Sequence, residues 1–426
     1  MKNLLIIILL ITIYIGVITL QTESNLNSIS TLLVGIMLLT SFLFANLIKG
    51  LKLPKLTGYM IMGILLGPVV LNLLTREVME HLVFLENIAL SFIAITAGGE
   101  LKLKAFAKRK KSILFIFLAQ SLLIFFGVCI FFIIIANYIP SLAVLSQNVI
   151  FGFAILLAAA AMSTSPATTI GIITELKSKG NVTDLVLSVT LIKTIFLVSI
   201  FPLLLAWSKT YLLDQTVFDL SLILNLLKLI GSSIFAGTLL GILVIWYITK
   251  VRVEISLFLL SIVIAIAEIS QLLGLEILLT SIIVGFVVQN FSKQGESLIQ
   301  GIELFSLPIY VIFFCFAGAN LNLNTLFSSA MITLLLILSR AFFIYSGTLA
   351  GSILAKENLF VSNVSWMGYI GQAGIALGLG IIISRNFPGD IGQHFLTILI
   401  STVVLNEMIG PILFKYVLVK AGESRA

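Results

Sequence analysis

Three residues that can carry charge lie deep inside apolar stretches of the sequence: Lys193, Arg340 and Glu407. Lys193 is the clearest case, because it lies about nine residues, or roughly 13 Å of helix, beyond Asp184 in an otherwise apolar segment. Removing an ionised group from water is costly unless a partner compensates it. An amine, a guanidinium and a carboxylate can bind and release protons or hold ions, so we interpret these residues as parts of one binding site.

Other kinds of chemistry have little support in the sequence. Both cysteines, Cys129 and Cys315, lie in apolar stretches, and the chain has only two histidines. These residues cannot form a disulfide framework or a metal cluster. No glycine loop for phosphate and no nucleophile with an adjacent base is recognisable. We therefore predict no enzyme activity, no cofactor and no metal apart from a transported ion.

The elements that position these residues are predicted to be membrane-spanning helices. The chain is 60% hydrophobic and 10% charged, with a mean hydropathy of +1.20. Its apolar runs are long enough to cross the ~30 Å hydrocarbon core as helices, which satisfy their own backbone hydrogen bonds. The predicted class is an all-α polytopic membrane protein with about fourteen spans. They lie near 4–20, 30–48, 56–73, 83–98, 112–136, 149–175, 183–207, 221–248, 254–271, 275–291, 304–321, 328–354, 360–384 and 391–417.

Charge predicts the orientation of these spans. Most of the 25 lysines and arginines fall on one side if the loops alternate, as the positive-inside rule requires, which places both termini in the cytoplasm. The net charge of +7 then reflects topology, and we predict no nucleic-acid partner. No small-x-small cleavage site follows the first apolar run, so we expect residues 4–20 to be retained as a helix.

An internal repeat relates the two halves of the chain. "AGGELKL" at 97–103 is similar to "AGANLNL" at 317–323, with weaker matches before and after in the same order. Each repeat, 56–207 and 275–417, contains five predicted spans, and the two enter the membrane from opposite sides. Inverted repeats are typical of secondary transporters. The alignment pairs Gly63 with Gly285, Gln120 with Arg340, and Lys193–Thr194 with Asn406–Glu407.

The fourth span of each repeat is predicted to be broken. In "AAAAMSTSPATTIGI", Pro166 follows the polar run Ser163, Thr164 and Ser165, and proline removes a helical hydrogen bond. In "GYIGQAGIALGLG", Gly371 and Gln372 lie in a run rich in glycine, which weakens a helix. Unwound backbone at membrane depth can coordinate an ion. The alternative is an ordinary proline kink and tight glycine packing.

These motifs resemble the monovalent cation:proton antiporters of the sodium/proton exchanger type, over about residues 30–420. The resemblance implies a homodimer with a dimerisation domain and a six-helix core. It also implies two crossed broken helices and an elevator-like movement of that core. Residues 1–29 would be an extra helix and loop, 208–274 linking helices, and 421–426 a cytoplasmic tail. The motifs are "LTGYMIMGILLGP", "FIAITAGGELKL", "STSPATTIGIITELKSKGNVTDLVLSVTL", "LPIYVIFFCFAGANLNL", "LSRAFFIYSGTLAG", "WMGYIGQAGIALGLG" and "LNEMIGPILFKYVLVKAGE".

At one position the chain departs from the family it resembles. The family's Asp-Asp or Asn-Asp pair, whose aspartate binds the cation or the proton, falls on Lys193 and Thr194, so that carboxylate is missing. The family's buried basic residue falls on Arg340 and is present. Arg340 can instead clamp carbonyls at a broken helix end. Lys193 can instead extend its stem towards the cytoplasmic interface. Glu407, beside Asn406, can coordinate the substrate or pair with a buried cation.

Three functions fit this sequence. The first is exchange of sodium or potassium for protons in a bacterial inner membrane, with Lys193 as the proton carrier. The cation would bind Thr164, Ser165, Thr194, freed carbonyls and Glu407. The second is transport of an anion or another solute, attracted by the basic residues and the positive ends of broken helices. The third is a non-transporting sensor or regulatory protein, in which Lys193 locks the core, for example by pairing with Glu407.

Overall fold

The computed structural model is helical, and the part of the chain that it describes contains no β-strand. It describes residues 2–20, 26–48, 53–138, 146–212, 220–319, 330–372 and 390–425, with Ala376, Leu379, Gly380 and Ile383. The first helices are α1 (Lys2–Leu20), α2 (Leu26–Ile48), α3 (Lys55–Leu66), α4 (Arg76–His81), α5 (Val83–Glu100), α6 (Leu103–Ala136), α7 (Gln147–Ala161) and α8 (Pro166–Glu175). They are followed by α9 (Asn181–Leu212), α10 (Leu220–Trp246), α11 (Ile255–Leu273), α12 (Ile277–Phe291), α13 (Gly295–Ala319), α14 (Ala330–Ala355), α15 (Leu359–Val364) and α16 (Asp390–Lys420).

Length and composition of these helices match a membrane protein. Within the described residues, nine helices are long and apolar enough to cross a bilayer. A tenth span results if the two parts of α13, which is bent by 58° between them, are counted together. Two further apolar helices, α3 and α12, are shorter. The membrane class is confirmed, whereas the count of fourteen spans stays a prediction.

The chain forms two compact units, and each contains parts of both predicted repeats. The first unit consists of Met1–Lys102, Ile170–Leu176 and Ser233–Leu321. The second consists of Leu103–Thr169, Lys177–Ser232 and Asn322–Ala426. All residues that the sequence suggested for the site belong to the second unit. The division into repeats at 56–207 and 275–417 is one of sequence, and it stays a prediction.

Close helix contacts in the first unit follow the pairing of the repeats. A Cβ atom on Gly63 would lie 2.0 Å from the carbonyl oxygen of Cys315, so only glycine fits there. Its counterpart Gly285 has the same relation to Ile95, at 2.1 Å. Helix α3 therefore packs on α13 as α12 packs on α5, which is what related repeats predict. The reciprocal contacts are made by Gly318 on Met60 and by Gly98 on Ile282.

The predicted interruption at Pro166 is present in the second unit. Helix α7 ends at Ala161, and α8 begins at Pro166, with residues 163–165 outside both helices. Proline suits the first helical position because its missing N–H would have no partner there. The hydroxyl of Ser165 accepts a hydrogen bond from the Thr168 amide at 3.1 Å, as a helix cap does.

The second interruption is described in part. A 3₁₀ turn covers Ser365–Tyr369, after which Gly371 and Gln372 are not helical. Most of the remaining predicted span, to residue 384, lies outside the described residues, as do residues 320–323 of the repeat motif. The described portion nevertheless contains the backbone groups that meet the first interruption.

Candidate functional site

The three charged residues singled out in the sequence are buried in the second unit. Only 1% of Lys193, 1% of Arg340 and 3% of Glu407 is exposed. The enclosure of Lys193 by protein contradicts the alternative that its stem reaches an interface. Buried ionisable groups need compensation from nearby dipoles, hydrogen bonds or charges. The three residues obtain it in three different ways.

Arg340 joins the two helix interruptions. Its Nε donates to the carbonyl of Ala161 at 2.8 Å, and its Nη2 donates to that of Ser163 at 2.7 Å, both at the first interruption. Its Nη1 donates to the carbonyl of Ile370 at 2.7 Å, and Nη2 also donates to Tyr369 at 3.2 Å, both at the second. The guanidinium of α14 thus bridges two segments that the sequence places far apart.

This arrangement has a simple electrostatic cause. The last carbonyls of a helix have no partner within it and carry partial negative charge. Both α7 and the 3₁₀ turn end beside Arg340, and its planar fork of N–H groups matches several carbonyls at once. The interpretation of Arg340 as a clamp on carbonyls agrees with this geometry.

Side chains and backbone hold the interruptions together as well. The amide of Ser165 donates to the carbonyl of Gly371 at 2.9 Å. The Gln372 side chain donates through Nε2 to Ser163 Oγ at 2.9 Å and accepts through Oε1 from Asn406 Nδ2 at 2.8 Å. Asn406, on α16, is therefore tied to both interruptions by a single glutamine.

Glu407 is compensated by a helix start. Its Oε1 accepts a hydrogen bond from the hydroxyl of Thr168, in the first turn of α8, where the helix dipole favours negative charge. The Gln372 amide faces the carboxyl group, yet Oε2 makes no regular hydrogen bond with any described residue. Within the described chain no ion pair joins Glu407 to Lys193 or Arg340. The geometry thus does not support a direct pair between Glu407 and either cation.

Lys193 makes fewer compensating interactions than Arg340 and Glu407 do. Its Nζ donates to Gln120 Oε1 at 3.0 Å, and it lies 5.9 Å from the centroid of the Tyr369 ring, near the limit of a cation–π contact. An ammonium has three N–H groups, and among the described residues one of them finds a hydrogen-bond acceptor. Arg340 lies close enough to repel a charged Lys193.

Several buried oxygen atoms around these residues have no hydrogen-bond partner in the described part of the chain. Buried polar groups are normally paired, so unpaired ones suggest a site for an ion or for water. Oxygen ligands of this kind suit hard cations. These atoms are Thr164 Oγ1, Thr194 Oγ1, Tyr369 OH and Glu407 Oε2.

The structure joins most of the predicted site residues, and it adds three more. Ser163, Ser165, Arg340, Gly371, Gln372 and Asn406 form one network, Glu407 is attached through Thr168, and Pro166 begins α8. Sequence reasoning assigned no role to Gln120, Thr168 or Tyr369. Gln120 gave a signal, because it is an amide within the apolar run "FIFLAQSLLIFF" and aligns with Arg340 in the repeat.

Comparison with known proteins agrees with this description. Residues 35–420 match the family described as sodium/hydrogen exchanger, transmembrane. A structure of the sodium proton antiporter MjNhaP1 from Methanocaldococcus jannaschii at pH 8 is 18% identical, covers 93% of this chain and 99% of its own, and has a TM-score of 0.65. The structure of that protein from an electron microscopy map is 17% identical, covers 95% and 100%, and has a TM-score of 0.73.

The predicted antiporter fold is therefore confirmed by structural similarity, which at this level of identity concerns the fold alone. No curated protein matches the chain significantly in sequence. The family match covers most of the chain, including every residue of the candidate site. On this ground the chain belongs to the sodium/hydrogen exchanger family of integral membrane transport proteins.

Proposed function

We propose that this protein exchanges a monovalent cation, sodium or potassium, for protons and that Lys193 carries the proton. Membership of the exchanger family supports cation:proton exchange in general. One observation carries the finer proposal: Lys193 is enclosed, and the described residues offer it one hydrogen bond, to a neutral amide. Together with Thr194 it also occupies the two positions on which the resemblance places the family's ion-binding pair.

Both protonation states of Lys193 have a physical role in this proposal. The surroundings of Lys193 hold a neutral amine as well as an ammonium, because its acceptor among the described residues is the uncharged oxygen of Gln120. A lysine in such a place can release its proton to solvent when the site opens. A cation that enters then occupies a site that the protonated amine would repel. Cation and proton thus exclude each other, which is the minimum that exchange requires.

The cation would be held by oxygen atoms that the protein leaves unpaired. Glu407 is the one fully buried carboxylate among the described residues of the second unit, and its Oε2 is free of regular hydrogen bonds there. Thr164 and Thr194 supply hydroxyl oxygens that have no hydrogen-bond partner among the described residues. Replacement of one proton by one monovalent cation makes the cycle electroneutral.

The wider setting is also part of the proposal. The family resemblance supports a homodimer with an elevator-like movement of a six-helix core, and we place it in a bacterial inner membrane. The distribution of lysine and arginine supports cytoplasmic termini. Residues 1–29 would add one helix ahead of the antiporter domain at 30–420, and 421–426 would face the cytoplasm.

The decisive experiment uses proteoliposomes with a pH-sensitive dye inside. A jump of external sodium or potassium should make the lumen alkaline as the cation enters and protons leave. Lys193→Ala should reduce the rate at least tenfold, whereas Lys228→Ala, an exposed lysine on α10, should leave it unchanged. Native protein that moves no protons with either ion would refute the proposal.

A sensor or regulatory role is the second candidate, favoured by the missing family aspartate. Inert native protein in which Lys193→Asn with Thr194→Asp restores exchange would establish it. Among the described residues no ion pair joins Lys193 to Glu407, so this example of a lock gives the candidate no support. Transport of an anion has less support, because Arg340 already donates hydrogen bonds to four carbonyls and so has few N–H groups left for an anion.

A further inference from the structure

We propose that Gln120 is a positioning residue that presents a fixed, uncharged oxygen to Lys193 and thereby leaves this lysine able to change its protonation state. The inference rests on the proposed function of Lys193. It concerns a residue on α6 that the family resemblance does not assign. Its basis is the hydrogen-bond chain from Lys193 through Gln120 to Thr348.

The orientation of the Gln120 amide follows from its neighbour on α14. The hydroxyl of Thr348 donates its only proton to the carbonyl of Ile344 at 2.7 Å. Thr348 Oγ1 can therefore only accept from Gln120, and Nε2 of the amide lies 2.7 Å from it. The amide oxygen must then point the other way, where it meets Lys193 Nζ at 3.0 Å. A flipped amide would set its NH2 group against the donor Lys193 Nζ at one end, and its oxygen against Thr348 Oγ1, whose only proton goes to Ile344, at the other.

The position of Gln120 is fixed by the packing of α6 on α14. Gln120 is fully buried, and a Cβ atom on Gly347 would lie 2.6 Å from its Cα atom. One turn away, a Cβ atom on Gly351 would lie 2.5 Å from the Cα atom of Ile116. Glycine at both places lets the two backbones approach until Thr348 reaches the amide. The acceptor offered to Lys193 is therefore held by two helices.

An uncharged acceptor has a specific consequence for a lysine. Both an ammonium and a neutral amine can donate one hydrogen bond to an amide oxygen, so Gln120 holds Lys193 in either state. A carboxylate in the same place would favour the ammonium over the neutral amine, because its negative charge attracts the charged form. The acceptor at position 120 thus decides whether Lys193 can release its proton.

The other groups around Lys193 do not take over this role. Helix α9 packs against α6, α7 and the 3₁₀ turn. The described residues of α7 include no ionisable side chain, and the basic residues of α6 lie in its first turns. The 3₁₀ turn contributes the ring of Tyr369, and α14 contributes the positive charge of Arg340. Among these groups, Gln120 is the one that accepts a hydrogen bond from Lys193.

The test compares Gln120→Glu, Gln120→Met and Thr348→Val in proteoliposomes over a range of pH. Gln120→Glu should move the pH of half-maximal exchange upward by about one unit or more, since an opposite charge at this distance shifts a titration by about 1–3 units. Gln120→Met should move it in the opposite direction. Thr348→Val, which frees the amide to turn, should follow Gln120→Met with a smaller shift. Ser121→Ala, the loss of an unpaired buried hydroxyl on the same helix, is the matched control.

A second measurement separates this inference from the proposed function. Nitrogen NMR of lysine-labelled protein, with Lys193→Met for assignment, follows the protonation of Lys193 without any transport. If the native protein exchanges no ions, the proposed function is refuted. A changed titration of Lys193 in Gln120→Glu would then still support the role of Gln120. Profiles of both exchange and NMR that match Ser121→Ala would overturn the inference. Thr348→Val serves the same purpose if Gln120→Glu does not fold.

Discussion

Arg340 and Lys193 are both buried cations of the second unit, and their surroundings are opposite. Arg340 donates four hydrogen bonds to carbonyls of the two helix interruptions. In the described part of the chain, Lys193 donates one hydrogen bond, to a neutral amide, and lies 5.9 Å from the centroid of an aromatic ring. The two side chains are thus equally buried, but their N–H groups differ in how many hydrogen bonds they make. Arg340, whose donors are largely paired, belongs to the framework of the site. Lys193, which has fewer partners, can change its protonation state.

The choice of residue type matches these two roles. A guanidinium stays charged and offers a planar fork of donors, which suits permanent carbonyl ends. An amine is compact and changes its protonation readily when it is buried. Arginine at position 193 and lysine at position 340 would therefore impair both the change of protonation and the binding of carbonyls. This contrast leads to four predictions. Two of them remove one side of the comparison each, and two change acidic residues that support the same helices.

The largest effect is expected from Arg340→Met. Four buried carbonyls would lose their partner, at about 1–3 kcal/mol for each group left unsatisfied, so the free energy of unfolding should fall by several kcal/mol. Thermal unfolding in detergent would measure the loss. Arg340→Lys should recover only part, because a single ammonium cannot reach both interruptions. Native-like unfolding of Arg340→Met would show that the clamp is dispensable.

Lys193→Met should have the opposite profile. It replaces a buried amine by an apolar side chain of similar length, which removes a desolvation cost but leaves Gln120 Oε1 without its donor, at about 1–3 kcal/mol. The free energy of unfolding should therefore change little. Exchange should nevertheless be lost. Unfolding and exchange are measured on the same preparation, with Lys228→Met as the matched control. A clear loss of stability in Lys193→Met would instead make this residue structural, and the contrast with Arg340 would disappear.

A smaller effect is expected at the anionic side of the site. Glu407→Gln keeps an acceptor for Thr168 but removes the charge at the start of α8, which should cost about 0.3–2 kcal/mol. The sodium or potassium concentration for half-maximal exchange should rise, because the cation loses its carboxylate. Thr168→Val is the companion variant, since it removes the hydroxyl and retains the charge. Unchanged ion dependence in Glu407→Gln would exclude this carboxylate as a ligand.

The smallest effect concerns the far end of the helix that carries Lys193. The carboxylate of Glu423 accepts from the amides of Val182 and Thr183, at 2.8 Å each, and from the Thr183 hydroxyl at 2.7 Å. It thus caps the first turn of α9. Glu423→Ala should lower the free energy of unfolding by about 1 kcal/mol, as the loss of a helix cap does. Thermal unfolding beside Glu423→Gln, which keeps one acceptor oxygen, tests this value, and no difference from native protein would contradict it.

Much of the fold could be predicted from local features of the sequence. Apolar runs of the right length predicted the membrane helices, and Pro166 after "STS" predicted the first interruption. Both signals are local, since one depends on the cost of polar backbone in lipid and the other on the missing N–H of proline. Lys193, Arg340 and Glu407 were recognisable from an equally local signal, as ionisable residues in apolar runs that contain no other charged residue.

The roles within the site were decided by tertiary contacts. Gln120 and Lys193 are 73 positions apart, Arg340 and Ala161 are 179 apart, and Thr168 and Glu407 are 239 apart. No periodicity or composition encodes which side chain compensates a buried charge across such distances. The sequence determined that three charges are buried in a membrane protein. Only the packing of α6, α9, α14 and α16 decided that Arg340 is saturated by carbonyls while Lys193 keeps a single neutral partner, because those partners come from different helices.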